Sequence, residues 1–188
     1  MYIQKDYLDF INMGVYYDYI LIDPPWRFNN KLPFLNEYQL KYNLWDDNIK
    51  CMNYIFSNIN CKYLLCWGCN SIINEIIESS KHTPFNYKTI VTWVKTTING
   101  KLFYGLGNTF RNSTEQLLVF QKDKCKPLNL NMRNVVIEPC GKRTIKPKKF
   151  EKELIDNLNN KGYKGCYIFS GNQINELNCD CIDIMDKE

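Results

Sequence analysis

The chain has 188 residues, enough for one domain with a real core, and its 45% hydrophobic and 23% charged content excludes a disordered chain. No apolar run approaches the roughly 20 residues of a membrane span, and the opening MYIQKDYLDF lacks the apolar centre of a secretion signal. A soluble intracellular protein is expected, in cytoplasm or nucleus (of a host cell, if viral), and the net charge of +4 mildly favours an anionic partner. In chain order, YDYILID (17–23) reads as a buried strand, with Ile20, Leu21 and Ile22 continuous. Residues 27–45 are a polar and aromatic loop containing Pro33. DDNIKCMNYIFSN (46–58) spaces Ile49, Met52, Ile55 and Phe56 as a helix does, with Asp46 or Asp47 as its cap. KYLLCWG (62–68) is a second strand, and NSIINEIIESS (70–80) a helix whose Ile72, Ile73, Ile76 and Ile77 form one stripe. KTIVTWVK (88–95) and EQLLVFQK (115–122) are strands, and RNVVIEP (133–139) is a short one. KPKKFEKELIDNLNN (146–160) is a helix with Phe150, Leu154, Ile155 and Leu158 inside, followed by the strands GCYIFSG (165–171) and CDCIDI (179–184). Strand and helix alternate without repeat or linker, which predicts a single α/β domain over 1–188, built on a mostly parallel sheet covered by helices.

The nine cysteines are odd in number and accompany no secretion signal, which argues against a disulfide framework. Cys66 and Cys69 have a metal-like spacing, but Cys66 lies in the apolar run YLLCW and no second pair completes a site, so buried thiols and no metal are expected. The single histidine, His82, has nothing around it that suggests a catalytic triad. The run KRTIKPKKFEK (142–152) gathers Lys142, Arg143, Lys146, Lys148 and Lys149, which suits a phosphate backbone, although a solvated helix face has the same composition.

Ligands of parallel α/β sheets bind at the carboxyl ends of the strands, and this chain places its unusual residues there. Asp23-Pro24-Pro25-Trp26 follows the first predicted strand, Trp67-Gly68 and Lys95 end two others, and Ser170-Gly171-Asn172 and Asp183 lie at the last two. Prolines stop a strand and fix its exit. A carboxylate, a rigid Pro24 carbonyl and the face of Trp26 can hold a flat amine-bearing base, the first two accepting one amino hydrogen each. In IFSGN (168–172), Gly171 permits close backbone approach to a nucleotide cofactor, and Asp183 can accept from ribose hydroxyls, or the segment is a simple turn. In GLGNTFRNSTE (105–115), Arg111 can clamp a carboxylate or phosphate, or lie in a surface salt bridge.

YLDFINMGVYYDYILIDPPW, LLCWG, TWVKT, GLGNTFRNSTEQLLVFQK, Lys146-Pro147 and CYIF, in that order, resemble the MT-A family of N6-adenine methyltransferases, named for the seventy-kilodalton catalytic subunit of the mRNA methyltransferase. The resemblance implies a Rossmann-like S-adenosylmethionine-dependent fold in permuted order, with helices on both faces of the sheet. It implies Asp23, Pro24, Pro25 and Trp26 as the catalytic motif, and Lys95, Arg111, Phe169, Gly171, Asn172, Gln173 and Asp183 as cofactor contacts. A nucleic-acid substrate, DNA ahead of RNA, follows from the compact form and from the ending CIDIM, which is similar to permuted DNA adenine methyltransferases. Lys142, Arg143, Lys146, Lys148 and Lys149 would then hold the backbone, with a homo- or heterodimer as a further expectation. The chain departs from the family at Arg143-Thr144-Ile145, where His-Ser is usual, and by placing GNQ (171–173) directly after CYIF. An inactive family member that binds nucleic acid and scaffolds an active subunit is the alternative.

Overall fold

In the computed structural model, residues 2–4, 7–27, 45–107, 109–141, 145–169 and 179–183 are described. The chain runs through β1 (Tyr2–Gln4), α1 (Tyr7–Asn12), β2 (Tyr17–Ile22), α2 (Asn48–Asn58), β3 (Cys61–Gly68) and α3 (Ile73–Ser80). It continues through β4 (Phe85–Thr96), β5 (Thr114–Lys122), β6 (Val135–Pro139), α4 (Lys148–Asn160), β7 (Gly165–Ile168) and β8 (Asp180–Asp183). The strands form one eight-stranded sheet in the order β1-β8-β7-β2-β3-β5-β4-β6. Every pair is parallel except those made by β5, which runs antiparallel to both β3 and β4.

β2 is continuously apolar because both its faces are covered. Ile20 and Ile22 join one core with Met52, Ile55 and Phe56 of α2 and Ile76 of α3. Tyr19 and Leu21 point the other way and join Leu154, Ile155 and Leu158 of α4. Asp47 caps α2, its side chain accepting from the Lys50 N–H at 2.9 Å, so the second of the two candidate caps is the one used. The mostly parallel α/β architecture with helices on both faces is therefore as expected.

Three differences stand out. β4 begins at Phe85, ahead of the apolar run that predicts it, because pairing with β5 extends it. Its partner β5 inserts antiparallel into an otherwise parallel sheet. β1 and α1 have no counterpart in the sequence pattern, since three and six residues are too few for a period to show. β1 exists because it pairs with β8, Tyr2 opposite Cys181 and Gln4 opposite Asp183.

From β2 the chain crosses to β3 on one side, and from β7 it crosses to β8 on the other. The direction of winding therefore reverses between β7 and β2, and the carboxyl ends of these two strands mark the switch point at which such sheets form their ligand crevice.

Candidate active site

Asp23 leaves β2 at that crevice, its N–H donating to the Ile168 carbonyl of β7 at 3.2 Å. The residues after it are held from several sides. The Trp26 N–H donates to the Pro24 carbonyl at 2.9 Å, closing a tight turn, and the Trp45 N–H donates to the Pro25 carbonyl at 3.1 Å. Asn48 brackets Arg27: its Oδ1 accepts from the Arg27 N–H and its Nδ2 donates to the Arg27 carbonyl, both at 2.9 Å. The same amide donates to Glu75 of α3 at 2.9 Å. With the prolines fixing φ, these bonds set the exit of β2 in one shape.

Trp26 is placed differently from expectation. Its ring is buried, its indole N–H donates to the Trp67 carbonyl at 2.9 Å, and it meets Trp45 edge-on with centroids 5.2 Å apart. A face packed in the core cannot stack on a base, so Trp26 anchors the turn instead. The Pro24 carbonyl takes the Trp26 N–H on one lone pair and keeps a second.

The side chain of Asp23 enters a chain of alternating charges. Lys146 Nζ lies 2.9 Å from Asp23 Oδ1 and 3.2 Å from Glu115 Oε2, while Lys95 pairs with Glu115 Oε1. The sheet explains the convergence. Because β5 is antiparallel, Glu115 at its beginning stands opposite Trp93, diagonal to Lys95 on the same face near the end of β4, and lies on the same edge of the sheet as Asp23 at the end of β2. The cluster is nearly dry: 11 % of the Lys146 side chain and 17 % of that of Asp23 reach solvent. Lys95 Nζ also sits over the Trp93 ring at 4.9 Å, and Lys146 Nζ lies 6.0 Å from the Trp67 ring.

Burial pushes the Asp23 carboxyl up to about 6, against the pull of Lys146. Burial also works against Glu115, but the ammonium groups of Lys146 and Lys95 hold its carboxyl below the usual range. Lys146 loses hydration by burial and still has its pKa raised, because Asp23 and Glu115 favour its charge.

Below this cluster lies Glu151 of α4, fully buried, its Oε1 accepting from the Trp67 indole and the Tyr167 hydroxyl, both at 2.8 Å. Burial raises its carboxyl to about 7, against those two hydrogen bonds. Between the ordinary 4.5 and 7 the native state keeps a proton that the unfolded chain releases. Stability therefore falls as pH rises through that window, by up to about 1.4 kcal/mol per unit. Glu151→Gln removes the ionisation, so its melting temperature should match the parent near pH 4 and exceed it at pH 8. Thermal melts across that range check this, and parallel pH dependence in both proteins would refute it.

Of the remaining expected residues, Phe169 follows β7 with φ 64°, buried, its ring 6.0 Å from that of Trp45. Asp183 ends β8. Gly171, Asn172 and Gln173 lie outside the described residues, as do Lys142 and Arg143. Arg111 is not drawn into the charged chain: it is exposed, its guanidinium 5.1 Å from the Tyr104 ring. Within the basic run, Lys148 and Lys149 stand exposed on the first turn of α4, whereas Lys146 turns inward to the carboxylates. The backbone-holding role expected of Lys146 is thereby corrected, since its side chain is turned inward to Asp23 and Glu115 and lies away from the surface where Lys148 and Lys149 stand.

Sequence reading misses Asn48, the partnership of Glu115 and Lys146, and Glu151. One signal is present for Glu151. It shares the helical spacing of Ile155 and Leu158, so an acid stands in an apolar stripe.

Curated proteins return no match to the chain. The sequence model of one family, MT-A70, matches residues 17–175, a span that contains Asp23, Lys95, Glu115, Lys146 and Phe169. On a match over most of its length, the chain belongs to the MT-A70 family of methyltransferases.

Proposed function

We propose that this protein is an S-adenosylmethionine-dependent N6-adenine methyltransferase acting on nucleic acid, with DNA favoured over RNA. The observation that carries the reading is the Asp23 carboxylate, fixed at the switch point of the sheet and bridged by Lys146 to Glu115. The donor set fits the cofactor, which bears a sulfonium, an ammonium and a carboxylate. Lys95 and Lys146 offer cations, Asp23 and Glu115 offer acceptors, and the left-handed backbone at Phe169 turns the chain where β7 meets the crevice. Phe169, Gly171, Asn172, Gln173 and Asp183 are the proposed contacts to its nucleoside end, and Lys95 and Lys146 to its charged end. Bound there, it supplies an electrophilic methyl group.

The chain's own residues handle the amine. Asp23 accepts one hydrogen of the adenine amino group and the second lone pair of the Pro24 carbonyl accepts the other. With both hydrogens held, the nitrogen lone pair points away from the protein wall, and positioning lowers the barrier. The amine proton displaced on N-methylation passes to Asp23, whose raised pKa suits it to hold a proton transiently.

The test uses the purified chain, tritiated S-adenosylmethionine and, separately, adenine-containing single-stranded DNA, duplex DNA and RNA. Label recovered as N6-methyladenine is the expected result, with the preferred polymer ranking the substrates. Cofactor binding without transfer to any polymer would point to a partner subunit or a particular target sequence, and no cofactor binding at all would move the reading to the scaffold alternative.

A further inference from the structure

The connection between β4 and β5 leaves the sheet after Thr96 and returns at Thr114, each next in sequence to a member of the charged chain beside Asp23, Lys95 and Glu115. It is a built structure. The Phe103 N–H donates to the Lys95 carbonyl at 2.9 Å and the Gly105 N–H to the Asn112 carbonyl at 3.0 Å. The Ser113 hydroxyl donates to the Phe103 carbonyl at 2.6 Å, and the Asn112 amide to the Leu106 carbonyl at 2.7 Å. The two arms approach so closely that a Cβ on Gly105 would lie 2.3 Å from the Asn112 oxygen, and one on Gly107 1.9 Å from that of Phe110. Only glycine permits this packing.

On this frame large rings face water. Tyr104 is 77% exposed and Phe110 84% exposed, and Ile98 and Leu102 of the same connection are exposed as well. Apolar surface gathered on an ordered loop marks a binding face. Its charge has one sign: the chain carries no acidic residue between Glu78 and Glu115, and the loop itself contributes Lys101 and Arg111. The Arg111 guanidinium lies over the Tyr104 ring at 5.1 Å, which couples a cation to a stacking face.

We propose that residues 97–107 and 109–113 form a stacking platform for single-stranded nucleic acid, with Tyr104 and Phe110 stacking on unpaired bases and Lys101 and Arg111 following the phosphates. The proposal rests on the nucleic-acid reading above and names the strand state that the site serves. Every base has a π-face, so stacking on exposed rings is tolerant of sequence, and a duplex hides those faces inside its own stack. A second copy of the chain is a poorer occupant, because a loop-to-loop contact brings together two faces whose only charges are cations, with no acid on either to pair them. The placement also has a consequence. A strand held here is tethered to the loop flanked by the strand residues Lys95 and Glu115, beside the carboxylate that would receive the adenine.

Fluorescence anisotropy with labelled twelve-residue single strands, oligo(dA) and oligo(rA), and with a duplex of the same length tests this. The parent protein should prefer single strands. Tyr104→Ala and Phe110→Ala should each weaken that binding about tenfold or more. Tyr104→Phe and Phe110→Trp, which keep the rings, should restore it. Lys101→Ala and Arg111→Ala should each lower the slope of log affinity against log salt by about 0.7. Both rings are exposed, so the melting temperature and cofactor affinity of the double alanine variant should stay at parental values.

Unchanged single-strand affinity in that double variant would overturn the platform, as would a parent that binds no oligonucleotide. A change from dimer to monomer with oligonucleotide affinity intact would assign the face to a second copy and overturn it equally. The enzyme reading fails separately. Ring-dependent binding without any methyl transfer would leave the platform standing and remove the activity. Full transfer by the double variant would do the reverse.

Discussion

Asp23→Ala should abolish methyl transfer, by about a thousandfold or more, while cofactor affinity stays within about tenfold. The asymmetry follows from the geometry. Asp23 is the acceptor proposed for the amine, whereas Lys146 keeps Glu115 as a partner when Asp23 is gone, so the cationic part of the pocket survives. Single-turnover transfer and equilibrium cofactor binding, measured on the same preparation, separate the two effects. A rate within tenfold of the parent would remove Asp23 from the chemistry. The same carboxylate sets a pH limb. Its pKa is raised to about 6, so it is ionised at pH 7 and takes up a proton as pH falls through 6. A protonated Asp23 no longer accepts from the amine, so the rate should fall tenfold per unit below about pH 6. A pH-independent rate between 5 and 8 would contradict this assignment.

Lys146→Met should damage the fold as well as the activity. The ammonium stands between Asp23 and Glu115, and its removal leaves two poorly hydrated carboxylates, with Lys95 reaching only Glu115 among the contacts described. Breaking a buried pair from one side costs about 3–5 kcal/mol, because the remaining charge is uncompensated. For a chain of this length the melting temperature should drop by roughly 10 °C. The sign of the pH dependence is fixed. Without Lys146, burial and Glu115 both push the Asp23 carboxyl higher, so the native state takes up a proton that the unfolded chain lacks. The stability deficit should then shrink as pH falls from 8 towards 5. A melting temperature within about 2 °C of the parent, or a deficit that grows on acidification, would show that Lys146 is not the counter-ion of the site.

Much of the layering is legible in the residues alone. Continuous apolar runs such as Ile20 to Ile22 signal strands buried on both faces, and helical spacing in 46–58 and 146–160 signals the covering layers. Asp23 at the end of the first such run, followed by two prolines, marks a strand exit at the ligand-binding edge of a sheet. Those patterns are local: each needs only a few neighbouring residues to be read.

The remaining features are non-local. The chemistry of Trp26 depends on which side of the turn its ring falls, and the ring falls inward, onto the Trp67 carbonyl and the edge of Trp45. Strand direction is equally invisible in the sequence, yet the antiparallel course of β5 brings Glu115 to the edge where Asp23 and Lys95 end their strands. Lys146 reads as one more cation in a basic run until the start of α4 turns it inward. Local pattern thus suffices for the alternation of buried strands and helices, and for the strand end that carries Asp23, because period and turn chemistry act over short distances. Which charges meet at that strand end is a property of the folded chain, because pairing residues 23, 95, 115 and 146 depends on sheet order and direction, which no window of sequence contains.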